Sequence, residues 1–173
     1  MVPRPACPED AGWIGRVHVA AWRQAYAGLL PADELARVTE AERAAFWRGA
    51  IAAGRSRIVV VEGLGFAAAG AQREAALAGA GCTGELYALY LLAGAQGRGL
   101  GRALFEAVRA PHPFTCTVLD GNDRARRFYA RMGGRHLATR PEVIGQSTIT
   151  EHLYGWGDPH DLSGQRGKTG QKT

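Results

Sequence analysis

The chain has 173 residues, 46% apolar and 21% charged, and a net charge of +5 from 21 Lys and Arg against 16 Asp and Glu. That length predicts one domain with a core of its own, and no stretch approaches the roughly 20 apolar residues of a membrane-spanning helix. Residues 1–10 lack the apolar run of a signal peptide and the arginines are spread rather than bunched, so the expectation is a cytoplasmic protein with neither nucleic acid nor membrane as partner.

Pro8 to Tyr26 reads as an amphipathic helix, with Ile14, Val17, Ala21, Trp22 and Ala25 on one face. Thr39 and Glu42 form a capping-box pair that opens a second helix, with Phe46, Trp47 and Ile51 as its apolar stripe and Gly54 as its stop. The period then shortens. Ile58 to Val61 and Phe66 to Gln72 read as a hairpin turning at 63–65. Gly79 to Gly84 reads as a loop, and Glu85 to Leu92 as a third strand. After a glycine-rich stretch, Leu100, Ala103, Leu104, Ala107 and Val108 mark a helix that Pro111 and Pro113 end. Phe114 to Leu119 reads as a strand. Ala125, Phe128, Tyr129 and Met132 mark a short helix closed by Gly133-Gly134. Arg135 to Arg140 and Ser147 to Tyr154 read as closing strands. Residues 157–173 are polar and without period, which predicts a disordered tail after a domain of 1–156. The order predicts a mixed α/β domain on one central sheet.

Cys7, Cys82 and Cys116 are odd in number and far apart, which argues against a zinc site and a disulfide framework. Cys82 and Cys116 adjoin apolar runs and read as buried. His18, His136 and His152 fit no metal spacing, so no metal is expected.

The chemistry concentrates in Gln96-Gly97-Arg98-Gly99-Leu100-Gly101-Arg102, which follows a strand and opens a helix. The first turn of a helix has N–H groups without internal partners, and its dipole favours negative charge. Glycine lets the main chain approach an anion closely. Phosphate or pyrophosphate is the expected ligand, with Arg98 and Arg102 adding charge-assisted bonds. The alternative is a glycine-rich turn that binds nothing.

Gln96-x-x-Gly99-x-Gly101 resembles the acetyl-CoA signature of the GCN5-related N-acetyltransferase family. Glu85 to Leu91 resembles the family's fourth strand. Leu119 to Tyr129, in which Asn122 opens a helix carrying Phe128-Tyr129, resembles its second cofactor-contacting segment. Trp22 to Pro31 is similar to the first helix and loop of many small bacterial members. Two departures stand out: Gly134 where a Phe usually follows Gly133, and Ala93-Gly94-Ala95 where a bulkier run is common. The latter implies a looser wall near the pantetheine arm.

The resemblance implies a mostly antiparallel twisted sheet with strands four and five splayed, and acetyl-CoA lying in the gap. It assigns Leu91 and Leu92 to the pantetheine arm and 96–102 to the pyrophosphate, with Asn122, Ala125 and Phe128 as further cofactor contacts. It implies attack by a neutral amine. Glu85 is then the candidate base, the other reading being a solvated strand-end glutamate. Tyr129 is the candidate acid for the leaving thiolate, the other reading being a packed aromatic. Asn122 reads equally as an N-cap. Trp22, Gln24 and Tyr26 are candidates for the acceptor pocket, with core packing as the alternative for Trp22, and 78–83 is a candidate border. Glu74, Glu85 and Asp33 are candidates for an acidic mouth. The acceptor is a small-molecule or peptide amine, and similar proteins are commonly homodimers. Two rivals remain: a non-catalytic acetyl-CoA-binding sensor or scaffold, and an NAD-binding oxidoreductase with Asp120 as its ribose-binding acid.

Overall fold

The computed structural model describes residues 1–110, 113–144 and 147–157, so most of the expected tail lies outside the described residues. One seven-stranded sheet runs through the molecule in the order β1-β2-β3-β4-β5-β7-β6. Its strands are β1 (Arg4–Pro5), β2 (Arg57–Val61), β3 (Gly65–Ala71), β4 (Gly84–Leu91), β5 (Phe114–Leu119), β6 (Arg135–Ile144) and β7 (Ser147–Trp156). Every neighbouring pair is antiparallel except β4 and β5. The helices are α1 (Ala11–Tyr26), α2 (Ala32–Arg37), α3 (Glu40–Ala53), α4 (Ala75–Gly79), α5 (Leu100–Val108) and α6 (Asp123–Arg131). No described helix is long and apolar enough to cross a membrane.

The sheet is covered on both faces. On one, α1 and α3 bring Ile14, Val17 and Trp47 onto Val60, Phe66, Ala68 and Ala88. Each fully buried large side chain of this kind contributes about 1.5–3 kcal/mol by leaving water. Gly15 makes the crossing of α1 and α3 close, since a Cβ there would stand 2.7 Å from both Ala44 N and Glu40 O. On the other face, α5 and α6 pack Leu104, Phe105 and Tyr129 against Phe114, Cys116, Tyr154 and Trp156.

The capping box of α3 forms as expected: Glu42 N donates to Thr39 Oγ1, the Glu42 carboxylate accepts from Thr39 N, and Gly54 ends the helix at φ 62°. Phe46 departs from the expected stripe. It is 54% exposed, with the Arg43 guanidinium 5.3 Å from its ring centre. Adjacent helical residues lie about 100° apart, so Phe46 and Trp47 cannot share one narrow face, and Trp47 takes the core. The short β1, α2 and α4 were not expected. α5 ends at Val108, ahead of the prolines. Cys82 and Cys116 are buried, as their apolar surroundings implied.

Gly134 has a packing reason. A Cβ there would meet Trp156 Cζ2 at 2.7 Å, and the Trp156 indole fills that space, donating to the Met132 carbonyl at 2.9 Å.

Candidate active site

The site begins where two strands part. β4 and β5 pair at only two positions, Gly84↔Phe114 and Glu85↔Thr115. From Leu86 to Leu91, β4 keeps its bonds to β3 alone, which leaves main-chain groups facing an opening. That opening is a cleft of about 590 Å³ that passes from the α5 and α6 face of the sheet to the α1 face.

The glycine segment forms one end. Gly97 and Gly99 have φ of 77° and 78°, values that cost other residues about 1–2 kcal/mol. Gly99 is the N-cap of α5. The first intrahelical donor is Ala103 N, bonded to Gly99 O, so the N–H groups of Leu100, Gly101 and Arg102 are free of helical partners. No atom lies within 4 Å of where a Cβ would stand on Gly97 or Gly99. Positive φ, open space and orphan donors fit an oxyanion ligand. At Gly101 a Cβ would come 3.3 Å from Leu91 Cδ1 and 3.4 Å from Phe128 Cε2, so this glycine seats the helix against the cleft wall.

Leu91, Gln96, Gly97, Gly99, Gly101, Arg102, Asn122, Ala125, Phe128, Tyr129, Trp22 and Tyr26 all line the cleft. Gln96 Nε2 donates to the Leu91 carbonyl at 2.9 Å and ties the loop to the strand end, while its buried Oε1 has no partner. Arg102 is exposed and pairs with Glu106 one turn on, at 2.7 Å. Other expected residues stand aside. Arg98 and Gln24 are exposed and outside the lining. The Leu100 side chain is in the core, leaving only its N–H for a ligand. Leu92 N donates to the Leu64 carbonyl at 2.9 Å and so serves the hairpin.

Asn122 performs the capping role: its Oδ1 accepts from Ala125 N at 3.2 Å. Its amide NH2 makes no hydrogen bond among the described residues and remains available to the cleft. Tyr129 is buried, and its hydroxyl makes no hydrogen bond among the described residues. Burial holds its pKa well above the ordinary value, with Cys116, Tyr26 and Tyr90 adding to the shift. The hydroxyl is therefore protonated throughout the neutral range. Tyr90, which the sequence did not single out, also lines the cleft. Burial raises its pKa well above the ordinary value and raises that of Tyr26 as well.

Glu85 lies in an adjoining chamber of about 280 Å³ that shares Cys116 and Thr117 with the cleft. Its carboxylate accepts from Arg73 N at 3.0 Å and Arg73 Nε at 3.1 Å, and also pairs with the terminal guanidinium nitrogen of Arg73. Glu74 and Arg140 line the same chamber. Arg140 bridges Glu74 and Glu151, at 2.7 Å to each. Asp33 is elsewhere, paired with Arg37. Of the loop expected at the border, 78–83 contributes nothing to the lining, though the neighbouring Leu77 does. Arg73, Arg140, Thr115 and Thr117 had no local signal, since the chamber is assembled by contacts such as Glu74 with Arg140, 66 residues apart.

Two of the described histidines are engaged within the fold. His18 Nδ1 accepts from the Trp47 indole at 3.0 Å, and burial, helped by Arg43, lowers its pKa to about 4. His152 Nε2 lies 2.8 Å from Asp120 Oδ1, so the carboxylate a dinucleotide would need is already engaged. Among the described residues no group of three or more His, Cys, Asp or Glu is placed to hold a metal.

Residues 54–133 match the model of the acetyltransferase (GNAT) domain. The chain is 37% identical over 103 residues to "Uncharacterized N-acetyltransferase YuaI" of Bacillus subtilis (strain 168), a match spanning 58% of each chain. Its fold is similar to that of yncA from Salmonella typhimurium, whose structure contains its cofactor acetyl-CoA: TM-score 0.63, 22% identity, 93% of this chain and 94% of that one. It is similar also to ribosomal-protein-alanine N-acetyltransferase from Brucella melitensis, with TM-score 0.68, 18% identity and coverage of 90% and 99%. The family match thus covers residues 54–133, and the fold, with its splayed strands and glycine-capped helix, is the one these acetyltransferase structures share.

Proposed function

We propose that the protein transfers an acetyl group from acetyl-CoA to a primary amine by direct attack in a ternary complex. The observation that carries this reading is the cleft through the sheet, with an anion cradle at one end and the protonated Tyr129 hydroxyl in its wall. Acetyl-CoA would supply the activated thioester. The N–H groups of the first turn of α5, the glycine main chain and Arg102 would hold its pyrophosphate. Leu91 and the unpaired main chain of β4 would run beside the pantetheine arm, with Asn122 NH2 donating to it.

The amine nitrogen attacks the thioester carbonyl carbon and the C–S bond breaks. Glu85 takes the proton that the amine loses, directly or through water, and Tyr129 gives a proton to the departing thiolate. A β4 N–H facing the gap is suited to the oxyanion. On this reading the acceptor is a small-molecule or peptide amine met in the cytoplasm.

A nicotinamide dinucleotide fits poorly, because its usual site needs a doubly wound parallel sheet and here only β4 and β5 run parallel. The direct test is thiol release from acetyl-CoA across a panel of amines. Amine-dependent release supports the reading. Binding of acetyl-CoA with no release for any amine would replace it with a sensor or scaffold.

A further inference from the structure

We infer that Arg73 is a displaceable cap that occupies, on Glu85, the place of the acceptor's ammonium group, and that the acceptor enters this chamber as a cation. This rests on the proposed acetyl transfer to an amine, and it concerns which amines the site admits.

The chamber has a fixed part and a loose part. Arg140 is gripped by two carboxylates, Glu74 and Glu151, with 30% of its side chain exposed; Glu151 is 10% exposed. Glu85 is 15% exposed, held at the last position where β4 pairs with β5. Arg73 is different. Its side chain is 64% exposed, it meets one carboxylate, and it approaches from outside with its guanidinium 4.2 Å from the centre of the Tyr87 ring. With Arg73 swung away, the chamber lining keeps two carboxylates, Glu74 and Glu85, against one guanidinium, Arg140, and the vacated carboxylate of Glu85 stands near the Tyr87 ring that Arg73 covered. That arrangement attracts a cation. The chamber adjoins the cleft at Cys116 and Thr117, so a cation seated on Glu85 stands beside the gap between the strands.

The guanidinium side of this pair lies largely in water, where an ion pair gains little, so an entering ammonium can replace it. The exchange conserves the charge on Glu85 and leaves Arg73 to water. It also frees both carboxylate oxygens for the incoming amine, since Arg73 engages the two of them.

The test is direct binding of 1,4-diaminobutane to the full chain, with 1,4-butanediol as its neutral isostere. Arg73→Ala and Arg73→Gln should each bind the diamine about three- to fivefold more tightly than the wild type. Arg73→Lys should stay near wild type, and the diol should gain nothing. Adding Glu85→Gln should abolish the gain. No tightening in either Ala or Gln variant, an equal gain for the diol, or a gain that survives Glu85→Gln would overturn the proposal. Thiol release from acetyl-CoA, read in the same proteins, separates the two ideas. A diamine gain without thiol release from any amine sinks acetyl transfer and keeps the cation site; thiol release without the gain sinks the cap alone.

Discussion

Glu85 stands opposite Thr115 at the last position where β4 and β5 pair, and beyond it the sheet opens. The same residue closes the ladder, faces the charged chamber and marks the start of the cleft. The proposed proton acceptor is thereby anchored by β-sheet pairing on one side and turned towards Arg73 and the chamber on the other.

Tyr129→Phe should lower kcat by about a hundredfold, the scale of general acid catalysis, while the affinity for acetyl-CoA stays within a factor of about two. Because burial raises the Tyr129 pKa above its ordinary value, no alkaline limb from this group should appear below about pH 10. Steady-state thiol release as a function of pH checks both points. Unchanged turnover in the variant removes Tyr129 from the mechanism.

Gly99→Val should weaken acetyl-CoA binding more than about tenfold. A Cβ at this position meets no protein atom, so the direct cost to folding comes chiefly from the positive φ, about 1–2 kcal/mol, while the branched group would fill the space proposed for the pyrophosphate. Gly94→Ala, in the same loop region but outside the cleft, should change neither quantity. Calorimetric titration of the two variants tests this, and equal affinities would place the anion elsewhere.

His18 should make folding acid-sensitive in a defined window. Its pKa falls from about 6.5 unfolded to about 4 folded, so the folded state binds fewer protons between those values. Stability is full above pH 6.5, declines as pH falls towards 4, and levels off below. The linkage amounts to about 3 kcal/mol. His136, whose pKa is also lowered by burial, contributes with the same sign. Asp10, held ionised chiefly by Arg4, loses its contribution only at lower pH. His18→Asn keeps an acceptor for the Trp47 indole and should flatten the slope. Urea unfolding at pH 7, 5.5 and 4 measures it; a variant with the wild-type slope assigns the sensitivity to other groups.

The strands and long helices were legible because their apolar spacing, caps and glycine stops are local. Thr39 with Glu42, Gly54, and Gly99 ahead of Leu100 each follow from side-chain chemistry within a few residues. The glycine-rich start of α5 and the Asn122 cap were readable for the same reason, whereas Tyr129 was singled out through the family resemblance. The chamber was not. Arg73 meets Glu85 across the β3–β4 connection, and Arg140 reaches Glu74 and Glu151 from a strand near the chain's end. Tyr90 looked like one more strand aromatic until the splay placed it in the cleft. Phe46 misled for a geometric reason: two adjacent aromatics cannot both face one core.

The splayed cleft and its glycine cradle are proposed to hold acetyl-CoA. Thermal melting with saturating acetyl-CoA, with NAD in a parallel sample, tests it most directly. A ligand at about 100 times its Kd adds roughly 2.7 kcal/mol to folded-state stability, so acetyl-CoA should raise the Tm by about 5–10 °C and NAD should not move it. A shift with NAD alone, or with neither, would contradict the claim.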